Sequence, residues 1–276
     1  MSKEEYVLNG YLPSPPDDRD YSYDKICMLS MEQELPEEYI TDKVVPVLDQ
    51  GCNSDCVAHA IATATAHGQY KAEGKFNDLS RGYIYGNRRL TDYQGEGMYV
   101  RQALKNFNHD GDCLKTVFPY TGSYPVMKAK IAEKPEEYAK EAEKLKLVNY
   151  CRLYSETEIK KAIMNQGAVV VCITTYRDCF GKQIKVPNKD SIKSGGHAMC
   201  CIGWNKDGWI IQNSWGKGWG DKGYCYMPYE YPVDEWWGLT TSFTLPDPEK
   251  DKLLKRIIGW FKMIWTNIVS FFHKSN

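Results

Sequence analysis

The residues of this chain that could do chemistry are a cysteine, a histidine and an asparagine that lie far apart in the sequence. Cys56 lies at the predicted start of a helix, where the helix dipole and the free backbone N–H groups favour a thiolate. His197 follows two glycines and precedes an apolar strand, which makes it the candidate base. Asn213 follows a later strand and could orient the imidazole. Each residue alone is most often structural, but together they predict nucleophilic acyl transfer by an activated thiolate.

An oxyanion donor and a rival base lie on either side of Cys56. Gln50 precedes it by six residues, and its side-chain amide could stabilise an oxyanion together with the backbone N–H of Cys56. His59, three residues after Cys56 in the same predicted helix, is a rival base that we expect to point into the core. Asp55 opposes the thiolate if its charge lies close, or instead caps the helix through backbone N–H groups. The sequence leaves these two roles of Asp55 open.

Two tryptophans set the asparagine apart from an ordinary turn residue. Trp215 and Trp219 follow Asn213 and alternate with glycines in the segment 213–220. A tryptophan that packs against an Asn–His hydrogen bond would shield that bond from water and strengthen it. The segment therefore predicts a buried hydrogen bond between Asn213 and His197.

The elements that must position these residues divide the chain into a helical first part and a β-rich second part. Cys56 opens an alanine-rich, apolar stretch that predicts a buried helix to about Tyr70, with Gly74 as its stop. Glycine turns separate short β-branched or apolar runs in the second part. This order predicts an α+β protein with a helical half and an antiparallel β half. The other predicted helices are 79–90, 98–109, 125–146 and 156–165, and the predicted strands are 168–173, 197–204, 208–213 and 223–227.

These blocks together resemble the papain family of cysteine peptidases. The stretch from Asp49 to Ala60 looks like the family's Gln-Gly…Cys-x-Ala-x-Ala block, and residues 195–198 look like its histidine block. The run Asn-Ser-Trp-Gly-x-Gly-Trp-Gly at 213–220 matches its asparagine block most closely. The histidine and the asparagine follow the cysteine by 141 and 157 residues, near the spacing of papain-type enzymes. Residues 10–21 and 80–88 are similar to bacterial and phage-type members, which lack a long helical propeptide.

The resemblance implies a papain-like two-lobed fold, with a helical lobe, an antiparallel β-barrel-like lobe and the active-site cleft between them. Cys56 would belong to the helical lobe, and His197 and Asn213 to the β lobe. The loop at 95–98 corresponds to a glycine-rich wall that pairs with the substrate backbone. The implied substrate-binding residues are Gly95, Gly97, Met98, Gly196, Ala198, Trp215 and Trp219.

The chain departs from the family pattern around the nucleophile. Val57 stands where the family usually has tryptophan, and residues 53–55 read Asn-Ser-Asp in place of Cys-Gly-Ser. The usual disulfide near the nucleophile is therefore not expected. Neither departure removes a catalytic group.

The resemblance implies a cysteine endopeptidase that hydrolyses peptide bonds through a Cys-His-Asn triad and a thioester acyl-enzyme. The expected partner is a peptide or protein substrate. The same triad would also serve a transpeptidase or acyltransferase, because the sequence does not distinguish water from an amine acceptor. A non-catalytic binding protein with the same fold is a further alternative, although all four catalytic groups are retained.

Composition excludes several other classes of function. The 35 basic and 36 acidic residues give a net charge of −1, so no basic field for nucleic acid is expected. Ten cysteines are too few for a disulfide scaffold, and no CxxC pair faces a second pair, so we predict no metal and no cofactor. The first residues lack the apolar run of a secretory signal, which favours a cytoplasmic protein.

The two ends of the chain flank the predicted peptidase domain at 35–246. Residues 1–34 are polar and proline-containing, and we interpret them as an arm on the domain surface. Residues 247–276 form a linker and a C-terminal amphipathic helix whose basic and aromatic residues at 253–274 suit peripheral membrane contact. Packing of this helix on its own domain or on a partner chain is the alternative. The sequence does not determine the oligomeric state.

Overall fold

Most helices precede the long strands in the computed structural model, which describes residues 9–18, 20, 23 and 34–241. This order confirms the predicted α+β class. The helices are α1 (Cys56–Glu73), α2 (Arg81–Gly86), α3 (Val100–His109), α4 (Tyr124–Glu133), α5 (Pro135–Ala142) and α6 (Glu156–Gln166). The strands are β1 (Tyr11–Leu12), β2 (Tyr39–Ile40), β3 (Met98–Tyr99), β4 (Asn149–Arg152), β5 (Val169–Tyr176), β6 (Lys193–Asn205), β7 (Gly208–Gln212), β8 (Tyr224–Met227) and β9 (Val233–Thr240).

Most strands belong to one sheet of seven strands in the order β4-β9-β5-β6-β7-β8, with β2 added beside β6. Every pairing in this sheet is antiparallel. Its buried face and α6 enclose a core of aliphatic and aromatic side chains. β1 and β3 form a separate two-stranded parallel pair. The antiparallel half that the sequence predicts is therefore confirmed.

α1 is the central helix, and its first fourteen residues, 56–69, are all buried. Alanines make this possible, because their small side chains let the helix pack closely on several sides. The helix contacts β5, β6 and β9, and it ends at Gly74 in a left-handed conformation with φ 69°. The nucleophile candidate therefore sits at the helix start, beside the strand that carries His197.

Several element boundaries differ from those predicted. The helix expected at 125–146 is broken at Lys134, because Pro135 begins a new helix where its missing N–H is tolerated. The segment 79–90 is helical only at 81–86, and 98–109 begins with the short strand β3. The sequence prediction missed β4 and β9.

The N-terminal arm packs on the domain, and part of it is buried there. Gly10 and Tyr11 are buried, and β1 pairs in parallel with β3. The burial of Tyr11 supplies a reason, because an aromatic side chain gains free energy when it leaves water. The described residues 9–12 of the arm are therefore part of the folded domain.

The predicted amphipathic helix at 253–274 lies outside the described residues. Within the described ranges, no helix has the length and apolar character needed to cross a membrane.

Candidate active site

Cys56 is the first residue of α1, and its side chain is completely buried. The backbone N–H of Ala198 donates a hydrogen bond to its Sγ at 3.4 Å. Burial raises the pKa of the thiol to about 12, although the backbone N–H groups of Ala198, Val57 and Cys56 itself act in the opposite direction. In this conformation the helix N-terminus favours the thiolate as expected, but burial outweighs it and the thiol is neutral.

His197 lies in β6 and is also completely buried. Its Nε2–H donates to Oδ1 of Asn213 at 2.8 Å, and its Nδ1 has no hydrogen-bond partner. Because Ala198 follows His197 directly, the bond from the Ala198 amide to Cys56 brings β6 beside the nucleophile. Burial lowers the pKa of His197 to about 4, against the hydrogen bond to Asn213, which raises it. Nδ1 is thus the nitrogen left to accept the thiol proton.

Aromatic rings cover the His197–Asn213 pair. The ring of Trp215 stacks on the imidazole with centroids 4.7 Å apart, and Trp219 packs edge-on against Trp215 at 5.0 Å. Phe180 contacts both tryptophans and the imidazole, at centroid distances of 5.1 to 5.7 Å. The tryptophans therefore stand where the predicted shield should be. Sequence reasoning missed Phe180, because a single phenylalanine in a loop belongs to no motif.

Gln50 joins the loop before α1 to the loop after β7. Its Oε1 accepts a hydrogen bond from Oγ of Ser214 at 2.7 Å, and its Nε2 donates to the carbonyl oxygen of Asn53 at 2.7 Å. An amide nitrogen carries two hydrogens, so one donor remains for another acceptor. The side chain is held between fixed partners, which suits a preorganised donor.

The rival base His59 turns away from this group of residues. Its Nδ1 lies 3.2 Å from the backbone oxygen of Asp55, and its ring packs edge-on against Tyr120 at 5.1 Å. The side chain is buried, as the sequence predicted for a histidine that points into the core.

Residues 9–12 occupy the groove above Cys56. On one side, the backbone N–H of Met98 donates to the carbonyl oxygen of Gly10 at 2.9 Å, and Tyr11 and Leu12 pair with β3. On the other side, Asn9 forms a β-bridge with Gly196. A Cβ added to Gly10 would lie only 2.6 Å from Sγ of Cys56, so only a glycine fits in this position. We call residues 9–12 the cleft segment.

Three of the seven predicted substrate-binding residues, Gly97, Met98 and Gly196, border the cleft segment. Glycine lets the walls approach it closely, since a Cβ at Gly97 would meet the Asn9 oxygen at 2.7 Å and one at Gly196 the Tyr11 oxygen at 2.5 Å. Met98 supplies the backbone hydrogen bond, and Ala198 supplies the bond to the nucleophile. Gly95 stands apart, because it occupies a turn with φ 64° and has open space around its Cα.

Polar contacts fasten the chain that follows the cleft segment to both halves of the domain. Oγ of Ser14 donates to Glu235 of β9 at 3.1 Å, and its backbone N–H donates to the same carboxylate. Glu235 also accepts from Nε1 of Trp237 at 2.7 Å and pairs with Arg152 at 2.9 Å. In the helical half, Arg101 of α3 forms a bidentate ion pair with Asp20, in which Nε and one Nη each donate to a carboxylate oxygen. Sequence reasoning missed these contacts.

Comparison with known proteins assigns the chain to a family. The profile described as papain family cysteine protease matches residues 37–240. The chain belongs to the papain family. A peptidase C1-like protein of Acanthamoeba polyphaga mimivirus is 28% identical over 89% of this chain and 88% of its own length. Cysteine proteinase 1 of Entamoeba histolytica is 28% identical over 68% of this chain and 61% of its own length.

Solved papain-family structures confirm the two-lobed α+β fold. Xylellain, a cysteine protease from Xylella fastidiosa, superposes with a TM-score of 0.73 at 26% identity, covering 88% of this chain and 99% of the other. Procathepsin B of Trypanosoma congolense shares the fold at 17% identity, with a TM-score of 0.64 over 86% of this chain and 87% of the other. As a papain-family member the chain is a cysteine peptidase, and its substrates are peptides or proteins. Within the described residues, no cluster of three or more His, Cys, Asp or Glu side chains suits a metal ion.

Proposed function

We propose that this papain-family chain is a cysteine endopeptidase that uses Cys56 as nucleophile, His197 as base and Asn213 to orient the base. The observation that carries the proposal is the hydrogen bond from Nε2–H of His197 to Asn213, which leaves Nδ1 free next to the strand residue that contacts Sγ. A base fixed in this tautomer can accept a proton only through Nδ1.

The reaction proceeds in two halves. The thiol proton of Cys56 passes to Nδ1 of His197, and Sγ attacks the carbonyl carbon of the peptide bond. Nε2–H of Gln50 and the backbone N–H of Cys56 stabilise the oxyanion. When the tetrahedral intermediate collapses, the C–N bond breaks, and His197 gives its proton to the leaving amine, which leaves a thioester. Water then attacks the thioester and gives a proton to His197, and the carboxylic acid departs as the thiolate is released.

The test is a digest of a peptide library by the wild-type chain and by Cys56→Ala, read by mass spectrometry. We expect internal peptide bonds to be cut by the wild type only, and His197→Ala to be as inactive as Cys56→Ala. Adding an amine acceptor to the same digest measures the share of products that carry the amine, which separates hydrolysis from acyl transfer. An active Cys56→Ala variant would refute the proposal. Absence of labelling of Cys56 by an epoxide inhibitor, in the wild type and also in Gly10→Ala, would favour a binding protein.

We also propose that the conformation described above is a latent one. A substrate carbonyl must reach Sγ of Cys56, and Gly10 already fills the space above that atom. The wall at Met98 that would hydrogen-bond a substrate backbone is used by the cleft segment as well. Activity therefore requires the cleft segment to leave the groove, and wild-type protein should show low activity until it does.

A further inference from the structure

Two buried ionisable residues flank the nucleophile and take no part in the triad. Asp55 precedes Cys56 directly, and His59 follows it by one turn of α1. Their side chains are 0% and 1% exposed to solvent. Asp55 occupies the N-cap position of α1, yet its side chain makes no capping hydrogen bond. Of the two roles that the sequence left open for Asp55, capping is therefore excluded.

The two side chains lie within ion-pair distance of each other. Nδ1 of His59 is 3.4 Å from Oδ1 of Asp55, and the phenol of Tyr120 also lies against this carboxylate. A buried carboxylate is strongly unfavourable unless a cation or a proton neutralises it, and a phenol supplies neither charge. His59 is placed to supply that neutralisation.

The other groups around Asp55 do not offer a cation. Two phenols face Asp55, from Tyr85 of α2 and from Tyr120. Burial is the main reason that the pKa of each phenol is raised, so both remain neutral. Arg88 donates instead to the carbonyl oxygens of Glu96 and Gly97 and packs on aromatic rings. Glu96 accepts a hydrogen bond from Ser54, the residue before Asp55, and it adds negative charge, not a cation. Cys56 interacts electrostatically with Asp55, and His197 with His59.

We propose that Asp55 and His59 share one proton as a charge-neutral pair and act as positioning residues for the ionisation of Cys56 and His197. This inference rests on the proposed triad. The reaction needs a thiolate at Cys56 and an imidazolium at His197, so an uncompensated charge beside them would disfavour one or the other. A lone carboxylate at Asp55 opposes the thiolate, and a lone imidazolium at His59 opposes the second imidazolium.

The electrostatics of the site agree with this assignment. The charge of Asp55 contributes to the raised pKa of Cys56, after burial, which is the larger cause. The charge of His59 contributes to the lowered pKa of His197, after burial. Each charge alone therefore disfavours one member of the thiolate–imidazolium pair. Opposite charges 3.4 Å apart largely cancel at both catalytic groups, and they do so only while both residues are present.

The test follows the alkylation of Cys56 by iodoacetamide as a function of pH in the full-length chain. The modified peptide is quantified by mass spectrometry, and the exposed Cys52 in the same peptide serves as an internal reference. The proteins compared are the wild type, His59→Gln, Asp55→Asn and the double variant. Opening of the cleft is common to all four, so differences between their profiles report on Cys56.

We expect His59→Gln to move the half-maximal rate of Cys56 alkylation to higher pH by about one unit, a tenfold lower rate at a given acidic pH. Adding Asp55→Asn should return the profile to that of the wild type, because the uncompensated charge is gone. His67→Gln is the matched control. This second buried histidine of α1 bonds to Gln212 at 2.8 Å, and its loss should leave the profile unmoved.

The outcomes separate the two proposals. The charge-balance role would be overturned if the pH profile of Cys56 alkylation were the same in the wild type and in His59→Gln. It would also be overturned if the profile of the double variant were shifted as far as that of His59→Gln. If His59→Gln fails to fold, recovery of folding in the double variant supports that role, and failure of both contradicts it. A Cys56 that never reacts, in a chain without peptidase activity, would instead refute the proposed function.

Discussion

A single methyl group on Gly10 should activate the full-length chain. In Gly10→Ala, the new Cβ would lie 2.6 Å from Sγ of Cys56, and 2.8 and 2.9 Å from the carbonyl oxygen and carbon of Ser54. Two of these three atoms belong to the backbone and cannot rotate away. The clash exists only while the cleft segment lies in the groove, because an open conformation has no such contact.

The size of the effect follows from the cost of overpacking. Forcing an extra methyl group into a well-packed site destabilises it by about 1–3 kcal/mol. Since about 1.4 kcal/mol changes an equilibrium tenfold, the ratio of closed to open molecules should fall by roughly 5- to 150-fold. Peptidase activity should rise by the same factor until open molecules predominate.

The assay is the initial rate of hydrolysis of a fluorogenic peptide pool, divided by the concentration of active sites titrated with an epoxide inhibitor. Gly218→Ala is the matched control, because a Cβ at Gly218 meets nothing within 4 Å. Intact mass must be recorded throughout, so that self-cleavage of the arm is not mistaken for opening. A folded Gly10→Ala protein that is no more active than the wild type would show that the cleft segment does not limit activity.

The remaining predictions concern the triad, pH, stability and the tail. Asn213→Ala should lower kcat by about 5- to 150-fold with little change in KM, because a hydrogen bond to the charged imidazole contributes about 1–3 kcal/mol. Burial lowers the pKa of His197 from 6.5 to about 4 while the cleft segment lies in the groove, so the open conformation binds a proton more tightly than the closed one. The free-energy difference that favours the closed conformation therefore decreases as the pH falls below 6.5. The activity of the wild type relative to Gly10→Ala should therefore be higher at pH 5 than at pH 7, and it should approach one as open molecules come to predominate in both proteins. Ser155→Ala removes one side of the capping box of α6 and should lower the free energy of unfolding by about 1 kcal/mol in urea titrations, without altering kcat. Deleting residues 250–276 should release the protein from anionic vesicles while cleavage of a soluble peptide is unchanged; full-length protein that never binds vesicles would refute the membrane interpretation.

The triad could be predicted because each member sits at an element boundary with its own local pattern. Cys56 opens an alanine-rich helix, His197 follows two glycines, and Asn213 is followed by tryptophans spaced by glycines. Such patterns depend on neighbours a few residues away, so the sequence alone exposes them. The hydrogen bond between His197 and Asn213 and the stacking of Trp215 then follow from the antiparallel neighbours β6 and β7.

The position of the cleft segment and of the chain that follows it could not be predicted in the same way. The residues 13–20 read Pro-Ser-Pro-Pro-Asp-Asp-Arg-Asp, which indicates extended chain but does not say what it packs against. Their partners are distant in sequence: Asp20 pairs with Arg101, and Ser14 bonds to Glu235. The strand β9 was missed for a related reason, because its acidic start is made favourable by Arg152 of the neighbouring strand β4.

The cleft segment affects the nucleophile in two ways at once. It fills the space in which a substrate carbonyl must lie, and it excludes water from Cys56 and His197. Burial raises the pKa of Cys56 and lowers the pKa of His197, so both groups are neutral in this conformation. Departure of the segment would therefore vacate the groove and also rehydrate both groups, which favours the thiolate and the imidazolium together. Opening should accordingly increase both substrate access and the reactivity of the thiol, so that a small iodoacetamide probe, which needs far less room than a peptide, should still react faster with Cys56 in Gly10→Ala than in the wild type.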